Sequence, residues 1–245
     1  MTTMKMMNSK KLKDNFLKND VEITIYKDIN PISQILIRAY FLNELKIIYL
    51  CNNTIFYKSY RDYLVKKFNY TDSKVRTLVE DLRYYNLITT SILYNKQVLK
   101  LNVNVINYLN NTSKLKATYS NRITNNGLYK SCYISYLLTN TSGVSKLKDK
   151  DYFIQKYQDY IEIYLFDFES SPINYRQLKE LIEKDFLEYN FRFKITILTY
   201  SKERQEILNK LIKEDLYFRN GNFLGFKDII NTNLKKDFFT YSAQK

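Results

Sequence analysis

The feature that most constrains this sequence is an ordered change of hydrophobic period between Thr54 and Leu101. The stretch reads first as two short helices, then as a longer amphipathic helix, and last as a β-hairpin. The longer helix is the clearest element. Thr71, Asp72 and Ser73 offer short oxygen-bearing side chains to the free N–H groups of a helix start. Val75, Leu78, Val79 and Leu82 then follow the i, i+3, i+4, i+7 series of one buried face. Ser73, Thr77, Glu80 and Tyr84 centre the opposite face, flanked by Lys74 and Arg76. Before it, Tyr57 to Phe68 sets Tyr60, Tyr63 and Leu64 against Lys58, Arg61, Lys66 and Lys67, which predicts a supporting helix with a basic edge. A short Asn69-Tyr70 turn joins the two. After it, Leu87 to Leu93 and Val98 to Leu101 are β-branched and apolar, and Asn95-Lys96 is expected to turn the chain because Asn tolerates a positive φ. This order predicts a winged helix-turn-helix spanning residues 31–110.

The charge along the predicted recognition helix has a direction. Its basic and hydroxyl side chains crowd the first half, and Glu80 and Asp81 come later. Base contacts in helix-turn-helix proteins come mainly from the N-terminal part of that helix. Ser73, Lys74, Arg76, Thr77 and Tyr84 are therefore the expected groove-facing residues. Lys58, Arg61, Lys66 and Lys67 are expected on phosphates, and Asn95 and Lys96 at the wing. The formal net charge is +14. Residues 1–120 hold 19 Lys/Arg against 9 Asp/Glu, and residues 121–245 hold 20 against 16. Lys, Asn, Ile and Tyr are abundant in the manner of an AT-rich coding sequence, so the asymmetry between halves carries more weight than the total. Basic surface neutralises phosphates and releases counterions, the main sequence-independent term in DNA affinity.

The chain contains no histidine. That excludes Ser-His-Asp and Cys-His triads, zincin motifs, and the His metal cluster of tyrosine relaxases. With four glycines and no Gly-x4-Gly-Lys-Ser/Thr loop, no phosphate cradle is expected. Cys51 and Cys132 match no metal-ligand spacing, and a reducing cytoplasm is the expected compartment. No apolar run approaches the roughly 20 residues that cross a bilayer. Met1 to Asp20 is Lys-rich without the apolar core of a secretory signal, so residues 1–30 are expected to be a flexible basic arm.

The second half reads as a small α/β domain over residues 128–245, after a polar linker at 111–127. Leu128 to Leu138 is apolar and fits strand or helix; Thr139 to Lys150 reads as a polar loop. Ile161, Ile163 and Leu165 alternate with Glu162, Tyr164 and Phe166, predicting a strand that ends near Asp167 and Glu169. A helix follows from Tyr175 to Asn190, a strand from Phe191 to Thr199, a helix from Lys202 to Phe218 and a short strand from Phe223 to Phe226. Alternation of this kind implies a largely parallel sheet. Asp167 and Glu169 invite a metal-nuclease reading, but Ser171 stands where the lysine of a Glu-x-Lys signature belongs. Arg192-Phe193-Lys194 lacks the carboxylate as well. No catalytic residue, cofactor or metal is assigned.

Several segments resemble the replication-relaxation family of plasmids and integrative conjugative elements. Asp72 to Tyr85 with the Ile88–Leu101 hairpin resembles its recognition helix and wing, and Ile163 to Glu169 its acidic-ended strand. Gln177 to Lys184 is similar to its basic helix. Ile195 to Arg204, reading Ile-Thr-Ile-Leu-Thr-Tyr-Ser-Lys-Glu-Arg, resembles its strand–Ser–x–x–Arg junction. The resemblance implies a winged helix followed by a degraded restriction-endonuclease-like domain. It also implies a non-enzymatic accessory that binds double-stranded DNA at an origin of replication or transfer. A relaxase, a replication initiator or another protein would be its partner, and a homodimer on paired half-sites is a further expectation. The alternatives are a transcriptional regulator or a metal-independent tyrosine nickase.

Overall fold

The computed structural model describes residues 29–112, 123–146, 152–187, 191–213, 218–232 and 234. Almost all of the expected basic arm, residues 1–28, lies outside them. The chain is a mixed α+β protein: N-terminal helices with a small antiparallel sheet, then a five-stranded mixed sheet. α1 (Pro31–Leu36) begins at Asn30, whose side chain accepts from the Ile32 and Ser33 amides, and runs through a π-helical segment (Ile37–Phe41) into α2 (Leu42–Leu50).

Thr54 to Phe56 departs from the expected pair of short helices. It forms β1 (Thr54–Phe56), and a single helix, α3 (Tyr57–Phe68), follows directly. All three β1 residues are buried, and they pair antiparallel with β3 (Lys96–Leu101). Interstrand bonds and burial on both faces decide for strand where local pattern could not.

α4 (Asp72–Tyr84) starts as expected, with the Thr71 side chain accepting from the Lys74 amide. It stops at Asn86, whose φ of 55° lets the Leu87 amide bond to the Leu82 carbonyl and the Asn86 amide to the Arg83 carbonyl. This is a Schellman closure, and the leucines at its two ends, Leu82 and Leu87, are fully buried in one core. β2 (Ile88–Leu93) then pairs with β3. The turn between them is Tyr94-Asn95, not Asn95-Lys96: Leu93 faces Lys96 across the hairpin, and Tyr94 and Asn95 have φ of 52° and 56°. Two successive positive φ values mark the type I′ turn whose twist matches a two-residue hairpin. Lys96 is thereby a strand residue.

α5 (Val103–Thr112) and α6 (Asn125–Asn140) flank residues 113–122, which are outside the described part. The Leu128–Leu138 run, open between strand and helix in sequence, is helical, and so are residues 111–112 and 125–127 of the expected linker. α6 is buried on nearly every side. It packs against the small sheet through Ser131, whose hydroxyl bonds to the Thr54 carbonyl. It packs against the large sheet through Tyr133, which stacks on Phe166 at 5.4 Å and donates to the Asp167 carbonyl.

The second sheet runs β4 (Val144–Lys146), β5 (Phe153–Lys156), β6 (Ile161–Phe166), β7 (Phe193–Thr199) and β8 (Phe223–Asn231) in that spatial order. β6, β7 and β8 are parallel as expected, but β4, β5 and β6 pair antiparallel, so the sheet is mixed. β4 falls within the stretch read as polar loop, and β8 extends five residues beyond Phe226. The crossover helices are α7 (Tyr175–Glu180), continued as a π-helical turn over Leu181–Asp185, and α8 (Lys202–Lys213). The expected tails of these helices, 188–190 and 214–217, are outside the described residues. Leu178, Ile182, Phe186 and Leu208 pack on Ile163, Leu165, Ile195 and Ile197 to form the core of that face. Among the described residues no helix is long and apolar enough to cross a membrane.

Candidate nucleic-acid interface

Burial divides α4 as its sequence dictates. Val75, Leu78, Val79 and Leu82 are buried, while Ser73, Lys74, Arg76, Thr77, Glu80 and Tyr84 are exposed. The first turn is held from behind. Lys74 Nζ sits 3.6 Å from the centroid of the Tyr70 ring, and the Tyr70 hydroxyl donates to Glu44 Oε1 at 2.7 Å. That bond, helped by burial, pushes the Tyr70 phenol up to about 12, so the phenol stays protonated. Asp72, the acid at the helix start, lies 3.8 Å from Arg61, which also pairs with Asp62 at 2.9 Å. Burial, with Glu80 beside it, raises the Asp81 carboxyl. Arg61 thus balances part of the Asp72 charge beside the first turn.

The phosphate candidates are not all alike. Lys58 is exposed on α3, whereas Lys66 and Lys67 lean onto the end of α6. Lys66 Nζ donates to Asn140 Oδ1 at 3.0 Å; Lys67 Nζ donates to the Thr141 carbonyl at 3.3 Å and to Ser142 Oγ at 3.4 Å. Cations at a helix C-terminus favour its unpaired carbonyls. Asn95 is exposed at the hairpin tip, and Lys96 lies over the Phe56 ring at 5.9 Å. The Tyr94 hydroxyl ties the tip to Asn125 of α6 at 2.6 Å.

The acidic end of β6 is a structural clamp. Asp167 is fully buried, Glu169 exposed. Arg204 meets Asp167 with two nitrogens, at 2.8 and 3.1 Å, and also donates to the Ile173 carbonyl. The Ile173 amide (2.7 Å) and the Thr199 hydroxyl (3.1 Å) complete the carboxylate's shell. A carboxylate so saturated has no lone pair left for a metal. Among the described residues no three His, Cys, Asp or Glu side chains gather where an ion could be held.

Sequence reasoning missed a second polar centre, on the α6-bearing face of the large sheet, in the half beyond α6. Glu162, the only charged residue of β6, is buried. Its carboxylate accepts from Thr196 Oγ1, Tyr157 Oη at 2.9 Å and Lys227 Nζ at 2.5 Å. Burial by itself would raise this carboxyl; the bonds from Lys227, Thr196 and Tyr157 outweigh it and hold the carboxyl below its ordinary value. Lys227 reaches Glu162 because the β7–β8 register slips at this point, with Ile195 facing Phe226 and Thr196 facing Asp228. Such an extra residue re-aims a side chain. Tyr157 and Tyr160 close the β5–β6 turn, their rings stacked at 4.7 Å and 12°. Lys227 lies over the first ring and Lys194 over the second, each at 4.7 Å. The signal available in sequence was Glu162 itself, a carboxylate inside an otherwise apolar strand.

No family model, no curated protein and no solved structure matches this chain.

Proposed function

We propose that this chain is a non-enzymatic DNA-binding protein that reads duplex DNA through a winged helix-turn-helix, as an accessory of a replication or transfer origin. The observation that carries the reading is the exposed Ser73–Lys74–Arg76–Thr77 ribbon at the start of α4, laid over a fully packed apolar face. The surrounding order supports it: helix α2, strand β1, helices α3 and α4, then hairpin β2–β3, with the sheet in the order β1-β3-β2. Lys74 and Arg76 offer donors to purine edges; Lys58 and the hairpin tip at Asn95 lie on the same module. The two segments that resemble a replication-relaxation domain, Ile163–Glu169 and Ile195–Arg204, meet in the Asp167–Arg204 clamp, which favours a structural role for that acid.

The test is a mobility shift on duplexes from the protein's own operon, at several salt concentrations. Replacing Lys74 and Arg76 together with Ala should abolish sequence preference. It should also flatten the dependence of log K on log salt by about 1 for each phosphate that is no longer neutralised. A double variant that binds the cognate duplex as the native chain does would dismiss α4 as the reading element. A promoter-bound footprint would shift the role to transcription.

A further inference from the structure

We infer that the large sheet carries a second nucleic-acid site on its α6-bearing face, on the half beyond α6, one that takes single-stranded DNA by stacking a base on Tyr160. α6 covers one half of this face with apolar contacts, Tyr133 against Phe166. The other half is closed in a different chemistry. Two stacked tyrosines stand at the edge, each with an ammonium group over its ring. Burying Glu162 beneath them costs desolvation that an apolar side chain would avoid; its effect is to hold Lys227 and Tyr157 in place.

Aromatic faces beside cations are what unpaired bases and their phosphates require. In the free protein, Lys194 and Lys227 occupy the ring faces as cation–π partners. A strand that brings phosphates within reach offers Lys194 a stronger partner, and the Tyr160 face it leaves can receive a base, while Lys227 stays on Glu162. The charge around the site is favourable: Lys194 and Lys227 lie over the tyrosine rings, Lys156 and Asp159 adjoin Tyr157 and Tyr160 in the chain, the Arg192 carbonyl accepts from the Ile161 amide, and Glu162 is already neutralised by Lys227. Polar contacts connect the site to the N-terminal module. Gln155 Oε1 accepts from Tyr164 and lies 2.8 Å from the Tyr157 hydroxyl, and its amide donates to the Ser142 carbonyl; Ser142 Oγ accepts from Lys67 of α3. The inference takes only its choice of polymer from the duplex reading.

Fluorescence anisotropy with labelled oligo(dT) and with a blunt duplex, on the full chain, separates the two sites. Tyr160→Ala with Lys194→Ala should weaken oligo(dT) binding about ten-fold or more and flatten its salt slope by about 0.7, with duplex affinity held within about two-fold. Tyr160→Phe, which keeps the ring, should bind oligo(dT) as the native chain does. The Lys74, Arg76 double variant should show the reverse pattern; native duplex binding in that variant would sink the α4 reading and leave this one standing. Unchanged oligo(dT) affinity in the Tyr160, Lys194 variant overturns the inference. So does an equal loss in Tyr160→Phe, or competition by polyglutamate as effective as by oligo(dT). Circular dichroism that matches the native chain confirms that the variants are folded.

Discussion

At the scale of single residues, two buried carboxylates explain most of what is unusual in the second half of the chain. Asp167 is satisfied by a rigid guanidinium fork, a hydroxyl and a backbone amide. Glu162 is satisfied by a flexible lysine and two hydroxyls. The difference matters, because Arg is a fixed bidentate partner whereas Lys is a mobile point charge. The Glu162 carboxyl is held below its ordinary value and the Lys227 ammonium above its own. The carboxylate's contribution to stability is therefore present above about pH 4.3 and lost as pH falls through the lowered folded value; the lysine's is present below about pH 10.4 and lost only as pH rises through the raised one. Glu162→Gln should cost about 1–3 kcal/mol at neutral pH, with the gap to the native chain closing below about pH 4. Urea titrations at pH 7, 5 and 3 measure this, and a gap independent of pH would contradict the assigned cause.

At the scale of elements, asparagine takes the place that glycine usually fills. The chain has only four glycines, yet Asn52, Asn53, Asn69, Asn86 and Asn95 all take positive φ, ending α2, α3 and α4 and turning the hairpin. Asparagine tolerates this region better than other side-chain-bearing residues. Asn86 is the informative case, since the end of α4 sets where β2 starts. Asn86→Ala and Asn86→Gly both lose the side-chain bond from Asn102, so their difference isolates the backbone. The alanine variant should be less stable than the glycine variant by about 1 kcal/mol in denaturant titration. Equal stabilities would mean that the Schellman closure does not limit the helix.

At the scale of the molecule, α6 is the shared wall. Its side chains belong to the core that includes Ile55 and Leu64 of the small-sheet module and also Phe153, Tyr164 and Leu198 of the large sheet. Tyr133 and Ser131 fix it to both by hydrogen bonds. An apolar wall common to both sheets couples their unfolding, because neither can lose its packing without exposing the other's. Scanning calorimetry of the full chain should show one transition with matching calorimetric and van't Hoff enthalpies. Two resolved transitions would show that α6 follows one sheet and leaves the other autonomous.

What the sequence determined by itself is local and periodic. α4 could be read from its cap and one apolar stripe, and β6, β7 and the two crossover helices from the switch between periods of 2 and 3.6, because half-buried elements write their exposure into the chain. Only the tertiary structure decided β1, which is strand because β3 pairs with it, and α6, which lacks a polar stripe because both sheets bury it. The hairpin turn moved by one residue because register is set by pairing across strands. The candidate surfaces divide in the same way. Ser73, Lys74, Arg76 and Thr77 share one helix and one period. Tyr157 and Tyr160 come from the β5–β6 turn, Lys194 from β7 and Lys227 from β8, and strand order and register are properties of long-range contact that no local pattern encodes.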